Sequence, residues 1–348
     1  MTDIAIGVIG AGGMGSRHVL NLQRHVKGAR VVAVYDLDQT RAGQVAAESG
    51  SARAFSDPLQ LIQDAGVDAV VIASPDPTHA QFVHECLRHH KPVLCEKPLA
   101  TTADEALKII EAEQALGRRL IAVGFNRRFD PRHLAVQQVV AAGEIGRAIL
   151  YKGVHRNAMI PPNLPGKAVV TGSAIHDIDS VRWLLGQEIT EVYVRGVRTH
   201  TSFSEETRDM LLLHMVLSGE CLATVEVSVA IEYGYEVSAE IIGERGTAVT
   251  MQPDHVLVRS QGARSMAVPK DHLTRFQEAY IPELTDWVHS VQSEQAFTGA
   301  NAWDGYMSLL VTDACVQSLK SGTAVPVSTP ARPDLYREQE LKGGARVD

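Results

Sequence analysis

Cysteine is scarce in this chain, and a long uninterrupted apolar run is missing. Four cysteines occur among 348 residues, widely separated and without a C-x-x-C pair. This spacing excludes a disulfide framework and favours reduced thiols in the cytoplasm. The apolar stretch 210–217 is short and interrupted by His214, so no membrane helix is expected. The apolar run at 4–11 follows Asp3 and leads into glycines, which does not fit a signal peptide.

Basic residues are also fewer than acidic ones. Lys and Arg number 33 against 41 for Asp and Glu, giving a formal net charge of −8. This balance excludes non-specific nucleic-acid binding, which requires a basic face. An apolar fraction of 45% is typical of a soluble globular protein, and the length favours two domains.

The first 125 residues alternate short apolar runs with segments of helical periodicity. Runs that are apolar at nearly every position fit strands buried on both faces of a parallel sheet. Strand–helix alternation predicts a doubly wound α/β domain, a Rossmann fold, over residues 1–125. The runs are 4–9, 30–35, 69–73, 93–95 and 120–123.

The second part of the chain is richer in β patterns. Closely spaced strands with few helices between them predict an α+β domain over residues 126–330, built on a large, mostly antiparallel open sheet. The polar tail 331–348 is expected to be peripheral. The predicted strands are 191–198, 210–217, 222–231, 236–242 and 256–260, and the predicted helices 131–142, 171–185, 276–293 and 306–321.

A glycine-rich turn follows the first predicted strand directly. Gly10, Gly12 and Gly15 form the pattern G-x-G-x-x-G, with Gly13 and Met14 inside it, ahead of a helical segment. Such glycines permit a tight turn and the close approach of a pyrophosphate at a helix N-terminus. The alternative is an ordinary glycine turn that binds no nucleotide.

An acidic residue stands where a dinucleotide site needs one. Asp36 closes the second strand, 21 residues after Gly15, where a carboxylate can accept hydrogen bonds from a ribose diol. A carboxylate there repels a 2′-phosphate, although Arg41 lies one helical turn further on. The sequence therefore predicts NAD as cofactor in preference to NADP.

Two strand ends should border the cofactor crevice, because ligands of open α/β sheets bind at the carboxyl ends of strands. One carries Ser74, Pro75 and His79, and the other carries Glu96 and Lys97 ahead of a proline. Lys97 could direct its ammonium group at a substrate oxygen. The alternative is a surface cation paired with Glu96.

A histidine opens a helix in the second domain. Gly172, Ser173, Asp179 and Ser180 lie three or four residues from His176 and share its helical face. An imidazole can accept a hydroxyl proton at neutral pH while hydride leaves the same carbon. The alternative is a hydrogen-bonded structural histidine.

These motifs together resemble the glucose–fructose oxidoreductase/inositol dehydrogenase (Gfo/Idh/MocA) family, and most closely its inositol 2-dehydrogenases. The resemblance covers nearly the whole chain up to about residue 330. It rests on the glycine turn 10–15, the segments 74–79 and 96–98, and the second-domain segments 155–157, 176–179, 233–236, 279–280 and 302–306.

The resemblance implies NAD-dependent oxidation of a secondary ring hydroxyl of an inositol or related cyclic polyol. Lys97 would hydrogen-bond the reacting oxygen, and His176 would accept its proton. It also implies a homo-oligomer, a tetramer or else a dimer, joined through the open sheet. The residues that would bind the substrate are Asn126, Arg127, His155, Asn157, Asp179, Tyr235 and Tyr280.

Two positions depart from the inositol dehydrogenase pattern. Gly172 replaces a carboxylate four residues before the histidine, which supports the imidazole, and Asn126 replaces a methionine. Asp179 or a substrate group could take over the role of that carboxylate. These changes indicate altered specificity, and they keep open a sugar or glycoside dehydrogenase. A non-catalytic nucleotide-sensing regulator is a further alternative.

A cluster of potential metal ligands occurs at His84, Cys86, His89 and His90. On a helix His84 and Cys86 point in different directions, and no second cluster completes a tetrahedral set. We therefore expect solvated helix-end residues here and no metal site.

Overall fold

A computed structural model describes residues 2–50, 52–158, 166–251 and 257–337 of the chain. The first domain alternates strands with helices, as its buried apolar runs predict. The strands are β1 Ile4–Ile9, β2 Ala29–Tyr35, β3 Arg53–Phe55, β4 Ala69–Ile72, β5 Val93–Glu96 and β6 Ile121–Gly124. The helices are α1 Gly13–Arg24, α2 Gln39–Glu48, α3 Pro58–Gln63, α4 His79–Arg88 and α5 Ala103–Leu116.

These six strands form a parallel sheet in the order β6-β5-β4-β1-β2-β3. The order reverses between β1 and β4, which is where open α/β sheets form a ligand crevice at the carboxyl ends of their strands. The glycine turn follows β1, and Ser74 and Lys97 follow β4 and β5. The topology therefore brings the predicted cofactor residues to one edge of the sheet.

The second domain contains a larger share of strands. They are β7 Ala148–Arg156, β8 Ile189–Val197, β9 Met210–Leu217, β10 Leu222–Ser228, β11 Glu236–Gly243, β12 Thr247–Val249, and the hairpin β13 Val258–Ser260 with β14 Ala263–Ser265. The helices are α6 Pro131–Ala141, α7 Ile175–Leu185, α8 His272–Arg275, α9 Gln277–Ser293 and α10 Ala302–Ser321, and a π-helix at Val169–Ala174 leads into α7. The first residue of the strand predicted at 256–260 lies outside the described residues. None of the helices in the described ranges is long and apolar enough to span a bilayer.

The second sheet has the order β12-β11-β7-β10-β9-β8, with β16 Val325–Pro326 at its edge. The pair β7–β10 is parallel, whereas the other neighbouring strands in the described sheet run antiparallel. The predicted fold class, a Rossmann domain followed by an α+β domain with a mostly antiparallel open sheet, is confirmed.

The two faces of this second sheet differ. Strand β9 alternates buried and exposed side chains along its length, as expected for a sheet covered on one face only. On the covered face its side chains pack with those of α7 and α10 in one apolar core. The other face exposes several large apolar side chains, namely Leu212, Val216 and Leu222.

The end of the described chain returns to the first domain. Strand β15, Ala300–Asn301, pairs antiparallel with β6, and Trp303 and Tyr306 of α10 join the first domain's core. Tyr336 is buried, and its hydroxyl donates to Glu113 Oε2 at 2.6 Å. The segment after 330, predicted to be peripheral, is therefore anchored through Tyr336, while residues 338–348 lie outside the described part.

Candidate active site

The glycine turn after β1 has no room for side chains at two positions. Gly10 adopts φ +95°, and a Cβ placed on it would lie 2.5 Å from the backbone of Ala73. A Cβ on Gly15 would lie 1.8 Å from the carbonyl oxygen of Gly10. The backbone of the turn therefore packs directly against the residue that follows β4 and against the first turn of α1, and these contacts fix its conformation.

The outer side of the same turn is open. Added Cβ atoms at Gly12 and Gly13 would meet nothing within 4 Å, and α1 begins here without a side-chain cap. The first N–H groups of α1 are therefore available to an anion at the positive end of the helix dipole. This open, uncapped turn fits the pyrophosphate of NAD.

Asp36 lies beside the glycine turn. Its Oδ2 accepts from the Ala11 N–H at 2.7 Å, and its Oδ1 accepts from the Asp38 N–H at 2.8 Å. The carboxylate is held in place next to the turn, as a ribose-binding acid must be. Arg41 Nε lies 3.4 Å from Asp36 Oδ1, so this guanidinium is already paired with the acid.

We expect Gly15→Ala to lower the free energy of unfolding by about 1–3 kcal/mol, because its methyl group would overlap the Gly10 carbonyl oxygen. The control is Gly13→Ala, whose methyl group enters open space at the start of the same helix. Chemical denaturation of both variants without cofactor measures the difference. Equal unfolding free energies for the two variants would contradict this account of the turn.

The loop after β4 is braced by its own side chains. The hydroxyls of Ser74 and Thr78 lie 2.6 Å apart, and Thr78 donates to the Pro75 carbonyl oxygen. His79 is buried, with one ring nitrogen 2.6 Å from the Pro98 carbonyl oxygen and the other 2.8 Å from that of Ser74. This side chain holds the two strand-end loops together through both its ring nitrogens, and its contact with the cofactor stays a prediction.

A cavity of about 260 Å³ lies between the two domains. Ten of the predicted site residues line it: Met14, Glu96, Lys97, Asn126, Arg127, His155, Asn157, His176, Tyr235 and Tyr280. Gly172, which the sequence marks as a departure from the family pattern, lines it too, with Ser173 of the same helical face. Gly124, His272 and Phe276 line it without a predicted site role. The fold therefore brings the strand end that carries Lys97 and the helix that carries His176 to one cavity.

Lys97 enters this cavity from the loop after β5. Its Nζ donates to the Gly172 carbonyl oxygen at 2.9 Å, across the domain boundary. Burial, with the nearby charge of Arg127, lowers the pKa of Lys97 below its usual value. The alternative prediction, a surface cation paired with Glu96, does not match this position, because Glu96 is bonded to His18 Nε2 at 2.7 Å.

His176 lies at the start of α7, and its ring packs edge-on against Phe125. Its Nδ1 is buried and has no hydrogen-bond partner among the described residues. Burial and the charges of Lys97 and Arg127 hold the pKa of His176 well below its usual value. The imidazole is therefore neutral at pH 7, which is the form that can accept a proton.

Asp179 does not reach the cavity, which corrects its predicted role in substrate binding. Its carboxylate is buried and accepts from Arg128 Nη2 at 2.6 Å, and it gives His176 no support. Gly172 and Ser173 do line the cavity with His176. Asp179 lies one turn further along α7 than His176, so sharing a helical face does not bring it to the cavity.

The sequence reasoning missed Asp177. This residue is fully buried and binds Arg127 Nη1 at 2.5 Å and His155 Nδ1 at 2.7 Å. Burial opposes ionisation, but Arg127 and His155 lower the pKa of Asp177 to about 2. A charged residue between Ile175 and Ile178 on a buried helix was the signal in the sequence, because a buried charge requires partners.

Asp177 also orients His155. The carboxylate accepts a hydrogen bond from Nδ1–H of His155. Nε2 is then the acceptor, and two donors lie 3.3 Å from it, the Asn157 amide and the Tyr235 hydroxyl. His155, Asn157 and Tyr235 thus form one hydrogen-bonded wall of the cavity, backed by Arg127. Such a set of fixed donors and acceptors suits a ligand with several hydroxyl groups.

Among the described residues, no group of three or more His, Cys, Asp or Glu side chains is arranged to hold a metal ion. Burial lowers the pKa of His84 and raises that of Cys86. Cys86 is buried in the first domain's core, while His89 bonds Glu85 of the same helix.

Comparison with known proteins supports the same division of the chain. Residues 4–125 match an oxidoreductase family with an NAD-binding Rossmann fold, and residues 137–328 match the C-terminal alpha/beta domain of that family. An inositol 2-dehydrogenase of Rubrobacter xylanophilus is 50% identical over 96% of this chain and 96% of its own length. Inositol 2-dehydrogenase 2 of Saccharopolyspora erythraea is 46% identical over 95% of this chain and 97% of its own.

A solved structure is similar over the same extent. The crystal structure of myo-inositol dehydrogenase from Lactobacillus casei, in complex with NAD(H) and myo-inositol, has a TM-score of 0.93 and 31% identity, covering 97% of this chain and all of that one. The glycine turn, Asp36 and the cavity between the domains agree with this match. The chain is a member of the Gfo/Idh/MocA family of NAD-dependent oxidoreductases, with an NAD-binding Rossmann domain and a C-terminal alpha/beta domain.

Proposed function

We propose that this protein oxidises a secondary ring hydroxyl of an inositol, myo- or scyllo-inositol, or a closely related cyclic polyol to the ketone. The observation that carries the proposal is that Lys97 and His176 line one cavity next to the glycine turn. The names of the relatives, inositol 2-dehydrogenases that match nearly the full chain, support the substrate class.

In this mechanism the chain positions the hydroxyl and manages its proton. Lys97 donates a hydrogen bond to the reacting oxygen and stabilises the negative charge that develops there. His176, neutral because its pKa is lowered, accepts the hydroxyl proton. NAD, when bound, accepts the hydride from the same carbon. The remaining ring hydroxyls bind Asn126, Asn157, His155, Tyr235 and Tyr280.

Arg127 acts through His155 in this proposal. Its guanidinium bonds Asp177 and lies 3.1 Å from His155 Nδ1, so it fixes the wall that the substrate meets. Ser74, Pro75 and Glu96 border the crevice at the strand ends and complete the cofactor side of the site.

A second candidate is a sugar or glycoside dehydrogenase. Gly172 and Asn126 favour it, because both line the cavity and alter its polar surface. A panel of myo-inositol, scyllo-inositol, D-glucose and a methyl glucoside, with NAD⁺ or NADP⁺, separates the two by NADH or NADPH formation at 340 nm. We expect turnover of an inositol with NAD⁺. Turnover of a pyranose alone would favour the sugar dehydrogenase, and dinucleotide binding without any turnover would favour a regulator.

We further propose that the protein is cytoplasmic and works as a homo-oligomer, a tetramer or a dimer. The four cysteines are free and buried, which suits a reducing compartment. The uncovered face of the second sheet exposes Leu212, Val216 and Leu222, and a second copy of the sheet would bury them. Analytical ultracentrifugation tests the assembly: a monomer at micromolar concentration would contradict it.

A further inference from the structure

One part of the cavity wall carries no side chain. Gly172 lies in the π-helix before α7, and a Cβ added there would meet nothing within 4 Å. Its carbonyl oxygen is bonded to Lys97 Nζ. His176 lies four residues further along the chain, and all three residues line the cavity. The open space over Gly172 is therefore bordered by a cation and an imidazole.

Glu96 is the acid that lines the cavity among the described residues, and it is bonded to His18 at 2.7 Å. Asp177, behind the cavity wall, is bonded to both Arg127 and His155. Glu96 and Asp76 act on Lys97 through their charge. Lys97 has a neutral carbonyl oxygen as its hydrogen-bond partner. The ammonium group thus lies in a partly buried cavity without a carboxylate in direct contact among the described residues.

His176 is short of a partner as well. Its Nδ1 is buried without a hydrogen bond among the described residues, and protonation of the ring is opposed by burial and by the charges of Lys97 and Arg127. Polar atoms buried without a partner are uncommon and costly in folded proteins. An anion placed over Gly172 would offset the charge of Lys97 and, by its own charge, stabilise the protonated form of the imidazole, which Lys97, Arg127, His155 and His272 oppose.

We propose that the space over Gly172 is a carboxylate-binding subsite, held by Lys97 and His176. The carboxylate is supplied either by the ring substrate itself, as in a cyclic polyol acid, or by a small free monocarboxylate bound beside a neutral ring. The inference rests on the proposed ring-hydroxyl oxidation. It adds that this oxidation is fast only when the subsite holds an acid.

Formate is the probe for the free acid. Initial rates of NADH formation from myo-inositol are measured in sodium formate and in sodium chloride at equal ionic strength. We expect formate to raise kcat by about tenfold or more, since a carboxylate that supports a catalytic imidazole contributes up to ~10⁴-fold elsewhere. It should also move the acidic limb of the kcat profile to higher pH by about one unit or more, because a nearby anion favours the protonated ring.

Ring acids are the probe for the substrate-borne group. D-Glucuronate and D-galacturonate are compared with D-glucose and D-galactose, which lack the carboxylate but share the ring. If the substrate supplies the acid, kcat/KM for a uronate should exceed that of its neutral counterpart by about tenfold or more, because its carboxylate forms an ion pair with Lys97 inside the cavity. The formate and uronate experiments thus distinguish a free carboxylate from one that the substrate carries.

Gly172→Asp places a carboxylate in the subsite. It should abolish both the activation by formate and the preference for uronates, while raising the turnover of neutral rings. Gly172→Asn has the same shape without the charge and should leave neutral rings unimproved. Gly43→Asp adds the same acid to an open, exposed helical glycine far from the cavity and serves as the matched control. Binding is followed separately from activity, as a formate-dependent rise in the thermal unfolding midpoint that Gly172→Asp removes.

The proposal is overturned if neither formate nor a ring carboxylate outperforms its neutral control, or if Gly172→Asp and Gly172→Asn behave alike. Failure of the proposed oxidation looks different. In that case no ring compound yields NADH with the parent protein or with Gly172→Asp, whereas formate still shifts the unfolding midpoint if the subsite exists.

Discussion

Replacing Lys97 with methionine is expected to lower kcat by about 10²–10³-fold, as for the loss of a hydrogen-bond donor that stabilises a developing oxyanion. Methionine keeps the length of the side chain but removes the ammonium group that donates to the Gly172 carbonyl oxygen. NAD⁺ should still bind, because the glycine turn and Asp36 are unchanged. Initial rates of NADH formation and a cofactor titration by fluorescence measure the two effects separately.

The matched control for Lys97→Met is Lys108→Met. Lys108 is an exposed lysine on α5 of the first domain and does not line the cavity. Its loss should leave kcat within about twofold, since exposed charges contribute little. A Lys97→Met variant that turned over as fast as Lys108→Met would contradict the role of Lys97.

The second large effect concerns the carboxylate that the sequence did not single out. Asp177→Asn should lower the free energy of unfolding by about 3–5 kcal/mol, because it leaves the buried Arg127 without its counter-charge. It should also lower kcat/KM, since asparagine has one acceptor oxygen where Asp177 uses two, so Arg127 or His155 meets an NH2 group and the tautomer of His155 is no longer fixed. Urea denaturation of the cofactor-free protein measures the first effect.

Asp334→Asn provides the comparison for Asp177→Asn. Asp334 pairs with Arg337 at 2.8 Å with both side chains exposed, and its neutralisation should cost less than about 1 kcal/mol. If Asp177→Asn were as stable as Asp334→Asn, the buried cluster of Arg127, His155 and Asp177 would not stabilise the fold as described.

The sequence was most informative where structure depends on local chemistry. The glycine turn, Asp36 and the strand-end loops could be predicted because each position follows from a short apolar run and the residues directly after it. Parallel topology then brings the strand ends to one edge. The three-residue strand β3 was missed, since a short and largely exposed edge strand leaves no buried run to detect.

The second-domain site was harder to predict because it depends on helix geometry and on distant contacts. Helical spacing chose Asp179, one turn after His176, over Asp177, but Asp179 pairs with Arg128 away from the cavity. His272 and Phe276 reach the cavity from α8 and the start of α9, more than ninety residues after His176 in the chain. No local pattern marks such residues, because tertiary packing alone brings them there.

The most direct test of the account is transfer of the ring hydrogen to the cofactor. Myo-inositol deuterated at its ring carbons is incubated with the protein and NAD⁺, and the recovered dinucleotide is analysed by mass spectrometry. The account predicts NADH carrying one deuterium, formed by the parent protein and at a greatly reduced rate by Lys97→Met. Two results would contradict oxidation of an inositol ring hydroxyl. One is NADH without deuterium, and the other is recovery of NAD⁺ with no NADH under conditions in which the dinucleotide binds.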